Sequence, residues 1–104
     1  MARIAFKMKL KQGYAEEYKK RHDLIWPELK KLLKDQGVFD YSIYLDEETN
    51  ILFAVQKTGD DRGSQDLGQN DIVQRWWKYM ADIMETNPDH SPVSVPLREV
   101  FRME

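Results

Sequence analysis

His22 is the residue of this sequence best suited to moving a proton near neutral pH, because an unperturbed imidazole titrates at about 6.5. It follows Tyr18 by four residues in YKKRHDLIWPEL, Tyr18 to Leu29, a spacing that places two side chains on one side of a helix. A second word, QRWWKYM from Gln74 to Met80, carries Trp76 and Trp77. Their indoles point about 100° apart around a helix, so they can form two walls of one cavity for an apolar ligand face such as one side of a sugar ring. Tyr41 adds a hydroxyl on a strand face turned toward the helices. Each has a plain structural alternative. A lone helical histidine is more often structural than catalytic, tryptophans fill cores, and strand tyrosines pack. The concentration of aromatic residues in both helices favours a site. His90, between Asp89 and Ser91 in a proline-rich loop, reads as exposed.

Composition narrows the chemistry. There is no cysteine, which removes disulfides, thiolate nucleophiles and cysteine metal sites. One structured histidine cannot hold a metal, and the acids around it show no ligand spacing. Phosphate-cradling glycines, a nucleophile elbow and a specific carboxylate pair are all missing, which favours chemistry that needs only proton transfer. The first 36 residues hold ten Lys and Arg against five acids, yet the net charge is -2, so this excess reads as solvated surface and no nucleic-acid partner is expected. No apolar run approaches the roughly 20 residues of a membrane span, and MARIAFKMKL alternates where a signal peptide would be continuously apolar. No membrane association and a cytoplasmic location are expected. At 104 residues the expectation is one domain, residues 1–104, with one site at most.

The elements that must position these residues follow from periodicity. Ile4, Phe6, Met8 and Leu10 alternate with polar neighbours as a strand, and Gly13 breaks the pattern. Tyr14, Tyr18, Ile25, Leu29 and Leu32 then share a helical face about 60° wide, with His22 close to its edge. Pro27 should kink that helix or open a second one. After Gly37, a plausible helix stop, Phe39, Tyr41, Ile43 and Leu45 alternate as a second strand. The run from Asp46 to Asn50 reads as a five-residue hairpin loop leading into a third strand, Ile51 to Lys57. Thr58 to Asn70 is polar and glycine-bearing, a loop with room for one helical turn and the segment best placed to be mobile. Asp71 is positioned to cap a helix whose apolar face runs from Ile72 through Trp76, Trp77 and Met80 to Met84. Asn87 to Pro96 holds three of the four prolines and reads as a loop, with a last strand from Leu97 to Met103.

The order strand, helix, strand, strand, helix, strand predicts an α+β fold, a ferredoxin-like split βαβ sandwich (βαββαβ) with both helices on one face of an antiparallel sheet. Tyr44, Leu52, Ala54 and Val100 point opposite to the other apolar residues of their strands, so they are expected on the uncovered face. A second copy packed sheet to sheet, a dimeric α+β barrel, would remove them from water.

Four words, YKKRHDLIWPEL, YSIYLD at Tyr41 to Asp46, DIVQRWWKYMADIM at Asp71 to Met84 and NPDHSPVS at Asn87 to Ser94, resemble the L-rhamnose mutarotase family over nearly the whole chain. The stretch Asp61 to Gln69, DRGSQDLGQ, departs from that pattern in its glycines. The resemblance implies a homodimeric, cofactor-free cytoplasmic enzyme that interconverts the α and β anomers of L-rhamnose. It places the family's proton donor on His22 and its sugar-binding positions on Tyr18, Tyr41, Trp76 and Trp77. The expected mechanism has protonated His22 act toward the ring oxygen, with water or a carboxylate such as Asp23 as the base. A haem-handling or cofactorless oxygenase and a ligand-sensing dimer of the same architecture are the other readings.

Overall fold

The structure, a computed structural model, describes residues 2–59 and 63–103. β1 (Ala2–Lys9) is followed by α1 (Ala15–Asp23), α2 (Pro27–Asp35), β2 (Val38–Asp46), β3 (Ile51–Thr58), α3 (Asp71–Met80) and β4 (Val95–Leu97). The strands form one sheet in the order β2-β3-β1-β4, antiparallel throughout. This is the α+β, ferredoxin-like arrangement that the alternation of strand and helix periods predicts.

Pro27 opens a second helix. Its ring has no N–H to give and disfavours a helical Trp26, so α1 ends at Asp23 and α2 restarts with Pro27 in its first turn. The freed backbone groups are satisfied locally, with Ile25 N donating to His22 O at 3.1 Å and Trp26 O accepting from Leu29 N and Lys30 N at 3.0 Å. The five-residue face expected of one continuous helix is therefore divided between two. Gly37, at φ +83°, ends α2 in the left-handed conformation that glycine adopts without strain.

One face of the sheet carries the core. Phe6, Met8 and Leu10 of the first strand region, Leu52 and Ala54 of β3, and Val73, Trp76, Trp77 and Met80 of α3 are buried together with Leu29 of α2. Leu52 and Ala54 thus lie beneath the helices and not on the open face as expected. The outward set of β3 is Ile51, Phe53 and Val55, because the period of two admits only one of the two sets beneath the helices. Tyr44, paired with Phe53, does lie on the open face and is 66% exposed.

Four further boundaries differ from the sequence expectation. Asn70, not Asp71, caps α3, its Oδ1 accepting from Ile72 N at 2.9 Å. That helix stops at Met80, and Met84 instead bridges to Leu10. The last strand is Val95–Leu97, with Pro96 opposite Phe6 on an edge where its missing N–H costs no ladder bond. Arg98 to Met103 forms no strand, and Phe101 is 77% exposed, since one chain offers these side chains nothing to bury against. The β2–β3 loop is four residues, because Asp46 still pairs with Ile51, and the Asp46 carboxylate binds Glu48 N and Thr49 Oγ1.

Candidate functional site

His22, Tyr18, Tyr41, Trp76 and Trp77 all line a single cavity of about 830 Å³ between the helices and the sheet. Tyr18 and His22 come from one side of α1, one turn apart. Trp76 and Trp77 come from α3, and Tyr41 comes from β2. Both tryptophans are 8% exposed and belong to the core, so core and cavity wall are one surface here. Met8, Leu52 and Val73 add to its apolar lining, while Lys19, Asp23 and Lys34 stand among its polar residues.

The imidazole of His22 is held on three sides. Its Nδ1 lies 3.0 Å from the Tyr18 carbonyl oxygen. A carbonyl can only accept, so Nδ1 carries the proton and donates it, which leaves Nε2 as the nitrogen available to a ligand. The ring stacks on Tyr18 at 4.2 Å between centroids and meets Trp76 edge to face at 5.4 Å. Burial among these rings lowers its pKa below 6.5, outweighing the opposite pull of the Tyr18 carbonyl and the Asp23 charge. At neutral pH the resting group is a neutral imidazole. Asp23 turns to the rim, where Lys19 Nζ binds its Oδ2 at 2.7 Å.

Tyr18 and Tyr41 are neutral phenols at the cavity wall, both with pKa values raised, first by burial and for Tyr18 also by its proximity to Tyr41. They offer hydroxyl dipoles without charge. Tyr41 faces the helix side with Ile43 and Leu45, as the alternation predicts, and stands in a β-bulge. Phe39 pairs with Lys57 and Ser42 with Val55, so Asp40 and Tyr41 together oppose Gln56. Asp40 sits at φ +48°. The bulge breaks the expected alternation, leaving Phe39 at a position of the opposite face and exposed.

Sequence reasoning gave no role to Trp26, Gln56 or Ser64. Trp26 meets Trp76 edge to face at 5.1 Å and stacks on Tyr79 at 5.7 Å, buttressing the wall from behind. Arg21 fixes that buttress, its guanidinium lying 4.5 Å over the Tyr79 ring and bonding Asp82 at 2.9 Å and Glu17 at 2.8 Å. Gln56 is the residue the sequence could have revealed, as a polar group in the buried alternation Leu52, Ala54, Gln56. Ser64 opens a 3-10 turn, Ser64–Asp66, the single helical turn expected in that loop, and lines the cavity. Asp61 and Arg62, within the stretch noted for its departure from the family pattern, lie outside the described residues. His90 is exposed in a turn at φ +71°, away from the cavity.

Comparison with known proteins adds a second line of observation. A family model described as L-rhamnose mutarotase matches residues 3–103. A protein of that name from Bacteroides thetaiotaomicron is 69% identical over 104 residues, covering 100% of each chain. One from Phocaeicola vulgatus is 66% identical over the same 104 residues, again covering 100% of each. The crystal structure of an L-rhamnose mutarotase from Formosa agariphila matches with a TM-score of 0.93 at 60% identity over 100% of both chains. A conserved protein from Methanosarcina mazei shares the fold alone, with a TM-score of 0.60 at 16% identity over 93% of this chain and 90% of that one.

Proposed function

Because this chain belongs to the L-rhamnose mutarotase family, isomerases that act on a carbohydrate, we propose that its cavity holds the pyranose and that His22 carries the proton during anomer exchange. The reaction needs little: the anomeric hydroxyl loses a proton, the bond from C1 to the ring oxygen breaks as the C1 carbonyl forms, and the ring oxygen gains a proton. Rotation of the aldehyde and reclosure on its other face give the second anomer.

The observation that carries the assignment is the fixed tautomer of His22, with Nδ1 spent on the Tyr18 carbonyl. Neutral Nε2 takes the proton of the anomeric hydroxyl and then, as imidazolium, donates it to the ring oxygen, two atoms bonded to the same carbon. The histidine is thus the proton donor of the ring-opening step, and a second protein base is not required. Trp76 and Trp77 cover the methyl and ring hydrogens of the 6-deoxy sugar, while Tyr18 and Tyr41 bond its hydroxyls and disfavour other configurations.

The chain is read as one domain working as a homodimer in the cytoplasm. Dimerisation is supported by the apolar residues of the open sheet face, Tyr44, Phe53, Val95 and Leu97, all exposed in the single chain. Among the described residues no helix is long and apolar enough to cross a membrane.

Saturation-transfer proton NMR on the anomeric signals of L-rhamnose tests the site directly. The wild-type protein is expected to accelerate exchange, and His22→Asn to lose about 10²- to 10⁴-fold of that acceleration with sugar binding largely kept. Undiminished exchange in the variant would remove His22 from the mechanism.

A further inference from the structure

Arg21, the neighbour of His22 on α1, carries a charge into the protein, its side chain being only 11% exposed. Its guanidinium faces the C-terminal end of α3. Nη1 donates to Tyr79 O at 2.8 Å and to Asp82 Oδ1 at 2.9 Å, and Nη2 donates to Asp82 Oδ2 at 3.2 Å. Nε donates to Glu17 Oε2 at 2.8 Å, one turn back on the same helix. Tyr79 O is among the last carbonyls of α3, which find no partner within the helix, and a cation there also meets the negative end of the helix dipole. Among the described residues, no other hydrogen bond joins α1 to α3.

The two helices joined in this way hold the two halves of the site. α1 carries Tyr18 and His22, and α3 carries Trp76 and Trp77. The guanidinium lies 4.5 Å over the Tyr79 ring, and Tyr79 touches Trp76 at 5.6 Å and Trp26 at 5.7 Å. Trp26 meets Trp76 at 5.1 Å, and Trp76 meets the His22 ring at 5.4 Å. Contacts from Arg21 therefore reach His22 by two routes, along α1 through one peptide bond and across α3 through packed rings.

We propose that Arg21 is a positioning residue that fixes the distance and angle between the proton carrier on α1 and the sugar wall on α3. A planar fork suits this task, because one group must meet a carboxylate with two N–H groups, a helix carbonyl and a ring face at once. A lysine ammonium has the charge but no plane. Loosening the clamp leaves the sugar on Trp76, Trp77 and Tyr41 and moves His22 relative to it, so the loss falls on the proton-transfer step. This rests on His22 and Trp76 acting as proposed for the site.

Arg21→Lys and Arg21→Gln should each lower kcat for anomer exchange about 10- to 100-fold, with KM changed less than about 3-fold. Asp82→Ala should lower kcat in the same direction by less, since the bond to Tyr79 O remains, and should add little to Arg21→Lys. The chain has two histidines, so proton–carbon NMR gives two imidazole signals, with the exposed His90 as internal reference. In both Arg21 variants the His22 signal should move toward that of His90 as its ring leaves Trp76. An unmoved His22 signal in folded Arg21→Lys would overturn the proposal whatever its melting temperature, because the guanidinium would then be structural only. Wild-type kcat in that variant would overturn it as well, and so would full additivity with Asp82→Ala. If Arg21→Gln fails to fold, Arg21→Lys and Asp82→Ala decide alone. Full exchange in His22→Asn would overturn the reading of His22 together with the clamp, whereas reduced exchange in His22→Asn beside normal kcat in Arg21→Lys would overturn the clamp only.

Discussion

At the scale of single residues, the chemistry of this protein turns on which form of His22 is present at rest. Sequence spacing was enough to set it beside Tyr18, and an imidazole's ordinary pKa would make it half-charged just below neutrality. The folded surroundings change that. Burial lowers the pKa below 6.5, so the folded chain binds fewer protons here than the unfolded chain does. The stability linked to the neutral ring is complete above the ordinary histidine value and is lost as pH falls through the lowered one. Activity should follow the same direction. A pH profile of kcat/KM for rhamnose anomer exchange is expected to be level around neutrality and to fall on acidification, with its midpoint below 6.5. A rate that climbs as the solution is acidified would identify the imidazolium as the working form instead, the form expected from sequence alone. Asp23, the carboxylate that sequence suggested as a base, is paired with Lys19 at the rim.

Secondary-structure elements place these residues through a few local decisions that the sequence states with unequal clarity. Pro27 and Gly37 are legible because their constraints are covalent: one lacks an N–H and the other lacks a Cβ. The bulge that turns Phe39 away from the helices is illegible, since nothing in VFDYSIYLD, Val38 to Asp46, breaks the alternation, and only pairing with β3 reveals the extra residue. The capping of α3 lies between these cases, because Asn70 and Asp71 are both good caps and adjacent. The bond from Asn70 to Ile72 N decides it. Asn70→Ala is expected to lower stability by about 1 kcal/mol in urea unfolding, the usual worth of an N-cap, with Asp71→Ala costing less. The reverse order would mean that the helix starts one residue later than described. The same cap ends the segment carrying Ser64 and Gly68, so some loss of rhamnose affinity should accompany the loss of stability.

The whole molecule is a sheet with helices on one face and an apolar, partly basic surface on the other. Tyr44 pairs with Phe53, and Val95 and Leu97 pair with Lys7 and Ala5, so these side chains share the open face. If two copies join there, sedimentation of the wild-type protein should give the mass of two chains, and Phe53→Glu should give a folded single chain. A wild-type protein that sediments as one chain would defeat the sheet-to-sheet dimer. By itself, the sequence determined the element types, the fold class and the five residues that meet in the cavity. Those features depend on local covalent constraints, on hydrophobic period and on two specific words, all of them readable along the chain. Which face of β3 is covered, where the last strand begins, which nitrogen of His22 is free and what the buried Gln56 amide binds were decided only by tertiary structure. Each depends on a neighbour distant in sequence: on strand register, on burial, or on a hydrogen bond such as that of Gln56 to Ser64.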